Sequence, residues 1–132
     1  MLFARVNNLE ATVTGPAGWT LVQSASDPVA TVQTFLWTRA AGASDSGANT
    51  RITTSTTSKV SAQILGYTGA TGVAAHAVGI DTVSRTDRTT PATTVGVPGS
   101  RLVSYWADKS SGPLGTGPAG GLTAVADSAN RR

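Results

Sequence analysis

Apolar and polar residues alternate along much of this chain with the two-residue period of a half-buried strand, and no segment carries the 3.6-residue period of an amphipathic helix. Residues 2–6 form the first such segment, Asn7-Asn8 reads as a turn, and residues 11–14 follow. Gly15-Pro16-Ala17-Gly18 predicts a tight turn, with Pro fixing φ and Gly18 free to take a conformation that other residues avoid. Residues 19–26 set Trp19, Leu21 and Gln23 against Thr20, Val22 and Ser24, and Asp27-Pro28 ends the run. The strongest strand, residues 30–39, puts Gln33, Phe35 and Trp37 on one face and Val32, Thr34 and Leu36 on the other. Alternation by itself leaves the buried face open.

Residues 41–49 are small and polar, a loop. Residues 51–57 and 59–66 read as a strand pair about Ser58, the second offering Val60, Ala62 and Ile64 to one face and Gln63, Leu65 and Tyr67 to the other. Further strands are expected at 73–80, 93–97 and 101–106, and a last one at 122–127 after the Gly-rich loop 109–121. Eight to ten short strands joined by turns predict a single all-β domain over 1–132, an antiparallel β-sandwich of jelly-roll or immunoglobulin-like type. No internal repeat of propeller or solenoid length is visible.

Ala, Thr, Gly and Ser supply 69 of the 132 residues, so any core is built thinly from few large side chains. Charged residues are 13% with a net charge of +3, too little charge for a chain held open by its own repulsion. Cysteine is absent, which excludes a disulfide framework and thiolate metal sites, and a single His excludes a two-histidine ligand set. The eight arginines are dispersed and form no phosphate-binding stripe, so no nucleic-acid partner is expected. No apolar run approaches 18 residues, so no helical membrane insertion is expected. The first residues also lack the longer apolar run of a signal peptide, and export would rest on a signal outside this chain.

No constellation declares a reaction. There is no G-x-S-x-G elbow, and Asp45, Asp81 and Asp87 stand outside any D-x-D-x-D-G calcium pattern. Glu10, the sole Glu, has no local partner for glycoside cleavage, and His76 between Ala75 and Ala77 reads as a structural residue. The chain is expected to be no enzyme and to need no cofactor. Tyr105 and Trp106 are neighbours that point to opposite faces of a strand, so one of them belongs at a surface, an interface or a second layer. An exposed ring there, with Asp81, Arg85 and Asp87 as polar loop partners, is a candidate glycan-stacking patch. The plainer alternative has Trp19, Trp37 and one of the pair filling the core.

Five segments carry a family resemblance: PAGWTLV at 16–22, FLWTRAAGASDSGA at 35–48, SKVSAQILGYTGA at 58–70, RTTPATTVGVPGSRLVSYWADKSS at 88–111 and GGLTAVADS at 120–128. Their order resembles that of β-sandwich modules in secreted multidomain proteins of actinobacteria and in tail proteins of their phages. The resemblance implies a non-catalytic extracellular module used for spacing, assembly or adhesion. A carbohydrate-binding module and a phage tail or virion-surface protein are the alternatives. Such modules carry one more strand before the segment like LFARVNN and one more after the segment like TAVADSAN, so the sandwich is expected to be incomplete at both termini. Residues 122–127 alternate, yet no apolar strand follows to close the core beside them. The expectation is strand addition, from another copy, a neighbouring module or residues outside this sequence, giving an oligomer or fibre.

Overall fold

The structure, a computed structural model, describes residues 1–83 and 88–109. It is all-β and antiparallel, with a sandwich-like arrangement of a four-stranded sheet and a two-stranded one. The strands are β1 (Leu2–Val6), β2 (Val13–Thr14), β3 (Thr20–Asp27), β4 (Val32–Thr38), β5 (Thr53–Thr54) and β6 (Val60–Ile64). The larger sheet has the order β3-β4-β1-β6, and β2 pairs with β5. A 3-10 turn, Ala43–Asp45, lies in the loop expected at 41–49, where Asp45 accepts from the Gly42 amide and pairs with Arg39.

β1 sits at the centre and every one of its residues is buried, because both faces of the sheet are covered there. Register places Leu2 opposite Trp37 and Ala4 opposite Phe35, which resolves the ambiguity of residues 30–39: the Phe35 and Trp37 face turns to the core. Leu2, Ala4 and Trp37 are 1%, 0% and 4% exposed, and Val13, Trp19, Phe35 and Ile52 pack against them. Phe35 and Trp37 stack at 5.1 Å. Gly15 lies flat on the Trp37 indole, where a Cβ would stand 2.3 Å from Nε1. The turn that follows closes with the Trp19 amide donating to Pro16 at 3.2 Å, and Gly18 supplies the left-handed residue at φ 77°.

Three sequence expectations are corrected. Residues 51–57 and 59–66 do not pair about Ser58: β5 pairs with β2 and β6 with β1, so the chain changes sheets there. One residue is too short for a hairpin, and Asn8, donating to Thr56 and Ser58, holds the crossing instead. In β3 a bulge at Val22 breaks the expected alternation, so Leu21 faces with Trp37 while Gln23 faces with Leu36 on the other side. Finally, residues 66–83 and 88–109 contain no strand. Residues 73–80 are rich in Ala and Gly, and Gly96 with Pro91 and Pro98 weakens 93–97 as a ladder element. In residues 101–106 the Tyr105 ring packs on Phe3 while Leu102 and Trp106 stay exposed, and the backbone joins no ladder. The expected strand at 122–127 lies outside the described residues.

A candidate assembly edge and an aromatic patch

β6 is an outer strand whose burial pattern is inverted. Its apolar residues Val60, Ala62 and Ile64 are exposed, Val60 by 45% and Ile64 by 56%, while polar Ser61 and Gln63 are half-buried. The small second sheet explains this, since β2 and Ile52 cover the core face over β1 and β4 but leave β6 open. An open groove of about 290 Å³ results, lined by Leu2, Thr50, Ile52, Val60, Ala62 and Ile64.

Among the described residues, no strand pairs with the outward backbone groups of the same three residues either. The Met1 ammonium donates to the Leu65 carbonyl at 2.7 Å, the Leu65 amide donates to the Met1 carbonyl at 2.9 Å, and the Asn7 amide donates to the Lys59 carbonyl at 3.0 Å. With Leu2 opposite Ile64 and Val6 opposite Val60, the antiparallel ladder turns the odd-numbered residues of β6 inward to β1. Val60, Ala62 and Ile64 therefore direct their N–H and C=O groups outward, where among the described residues no strand pairs with them. The opposite edge differs: β3 carries the Val22 bulge and ends at Asp27, two features that blunt an edge against pairing. β6 has no charge, Pro, Gly or bulge within its five residues.

The other candidate patch lies across the sheet's second face. Tyr105 stacks on Phe3 at 4.7 Å, and the guanidinium of Arg5, a residue only 7% exposed, donates to the Asp108 carbonyl. Burial pushes the Tyr105 hydroxyl above the ordinary tyrosine value, with the Arg5 charge partly offsetting it. Arg101 over Tyr67 and Lys109 on the Thr31 hydroxyl, at 2.5 Å, hold the two ends of the segment 101–109. Trp106 is 36% exposed and Tyr105 is packed on the sheet. Asp81 is engaged within its own loop, accepting from the Val83 amide at 3.0 Å and pairing with Arg88 at 3.2 Å. Arg85 and Asp87 lie outside the described residues.

His76 is exposed, and among the described residues no group of three His, Asp or Glu is placed to hold a metal. Sequence reasoning missed two features, the buried Arg5 and the free edge of β6. The available signal for the edge was a five-residue strand, VSAQI, with no charge in it. No protein family, curated protein or solved structure matches the chain.

Proposed function

We propose that this chain is a non-catalytic extracellular structural module that assembles, through β-strand pairing at its β6 edge, into a larger protein, fibre or particle. One observation carries the reading: among the described residues, Val60, Ala62 and Ile64 leave apolar side chains and backbone hydrogen-bonding groups open on the same strand. A free edge of that kind is a pairing template, and native chains that stay monomeric usually blunt it as β3 is blunted here. Covering Val60 and Ile64 would contribute about 1 kcal/mol each, since roughly half of a full burial worth about 1.5–3 kcal/mol remains to be gained. Three outward amides and three carbonyls add a ladder's worth of hydrogen bonds at about 0.5–1.5 kcal/mol apiece. The resemblance to secreted and phage-tail modules supports an extracellular setting, and the complete gene with its neighbours separates a cell-surface stalk from a virion part.

The test compares sedimentation of the full chain with that of I64K, which places a charge on the open face without touching the β1 pairing. The wild type associates as concentration rises and I64K stays a folded monomer. A wild type that sediments as a cooperatively melting monomer throughout, indistinguishable from I64K, refutes the reading. Glycan binding is a second reading, favoured by the exposed ring of Trp106. It requires a tryptophan-fluorescence titration with glycans to saturate and to be abolished by W106A; no response in the wild type removes it.

A further inference from the structure

We propose that the β6 edge pairs with the β6 edge of a second copy of this chain, antiparallel about a two-fold axis through Ala62. The inference rests on the assembly reading and names its partner and register. Such an axis brings Val60 opposite Ile64 of the second copy, Ser61 opposite Gln63 and Ala62 opposite Ala62. The hydrogen-bond phase agrees with this register, because Val60, Ala62 and Ile64 are the residues whose backbone groups point outward. All six of those groups find partners at once. In any other antiparallel register at least one of the three outward residues lacks a counterpart among the same three.

Side chains obey the same symmetry. The axis stands perpendicular to the sheet, so the open apolar faces of both copies lie on one side and Val60, Ala62 and Ile64 form a continuous stripe with their counterparts. Ser61 and Gln63 meet on the other side, polar against polar. Lys59 falls opposite Leu65, which keeps the two lysines at opposite ends of the junction. A second copy is therefore a better occupant than an arbitrary strand, since the edge is complementary to itself and an isologous contact closes at two. The product is an eight-stranded sheet of order β3-β4-β1-β6-β6-β1-β4-β3, whose outer edges are the blunted β3 strands.

Native cysteine is absent, so single cysteines read the register directly. Facing Cα atoms at position 62 would be about 5.5 Å apart, within disulfide reach, whereas two copies of residue 61 would be about 8 Å apart and out of reach. Under mild oxidation A62C is expected to give a disulfide-linked dimer with the wild-type circular dichroism, and S61C or Q63C alone only monomer. Mixing S61C with Q63C restores the cross-link. Association of the wild type without selective cross-linking of A62C overturns this proposal and leaves the assembly reading standing, with residues 122–127, a β3 edge or a different protein as the occupant. A wild type that neither associates nor cross-links as A62C overturns both. Should A62C melt early, native mass spectrometry of the unaltered chain decides: dimers and nothing larger are expected, and monomers alone or an open ladder of masses contradict the two-fold junction.

Discussion

Gly15→Ala changes one hydrogen to a methyl group and is expected to be among the most damaging small substitutions in this chain. The new Cβ would stand 2.3 Å from Trp37 Nε1, 2.7 Å from Cε2 and 3.0 Å from Cδ1. Carbon atoms in ordinary contact sit about 3.5–4.0 Å apart, so the indole or the turn must move by more than about 1 Å. The indole has little room to do so, being 4% exposed, stacked on Phe35 and packed with Leu2 and Ala4. Overpacking costs of about 1–3 kcal/mol are usual, and this geometry belongs at the upper end, about 3 kcal/mol. For a domain of this size that lowers Tm by roughly 10 °C. Urea unfolding should show a lower midpoint at an unchanged slope. Trp37→Phe removes the atom that clashes first, so the cost of G15A measured in a W37F background should fall below about 1 kcal/mol. A G15A protein that melts with the wild type, or an equal penalty in both backgrounds, would refute the close approach of turn and indole.

Three further outcomes follow from the second face. Arg5→Met keeps most of the volume while removing a buried charged group whose Nε has no hydrogen-bond partner among the described residues, and should stay within about 1 kcal/mol of wild type by urea unfolding, whereas Arg5→Ala costs about 2–4 kcal/mol. Tyr105→Ala strips the ring from Phe3 and should cost about 2–3 kcal/mol, with Tyr105→Phe costing under 1, both read from thermal melts. Because the Tyr105 hydroxyl titrates above the unfolded tyrosine value of about 10, its contribution is fully present below that value and is lost as pH rises through the folded value. Spectrophotometric titration should therefore show one late tyrosine that Y105F lacks, and the melting temperature of Y105F should fall less in that alkaline range.

The six strands were legible in the sequence because β-branched residues, period-two alternation and turn residues coincide through residue 64. The Gly18 turn, the break at Asp27-Pro28 and the start of β1 all follow from local chemistry. Which strands pair is a non-local matter, and there the reading failed. Residues 51–57 look like a partner for 59–66 until Asn8 is seen holding the connection between two sheets. The Val22 bulge is equally silent, since nothing in TLVQSASD marks the extra residue. Residues 73–80, 93–97 and 101–106 err in the opposite sense, since an alternating or apolar run also arises where no ladder strand forms. Tyr105 demonstrates why: its ring satisfies the pattern by packing on Phe3 without any backbone pairing. The missing strand expected from the sequence concerns residues 122–127, which lie outside the described residues, whereas the open strand described here is β6 in the middle of the chain.

The central claim, that the outward side of β6 is a pairing surface, is tested most directly by residue-resolved amide hydrogen exchange as protein concentration rises. The Ser61, Gln63 and Leu65 amides face β1 and are expected to be protected at every concentration. The Val60, Ala62 and Ile64 amides face outward and should exchange fast in dilute solution, then become protected in step with the appearance of the assembled species. Fast exchange at those three positions at all concentrations, in a chain whose inward amides remain protected, would contradict the account.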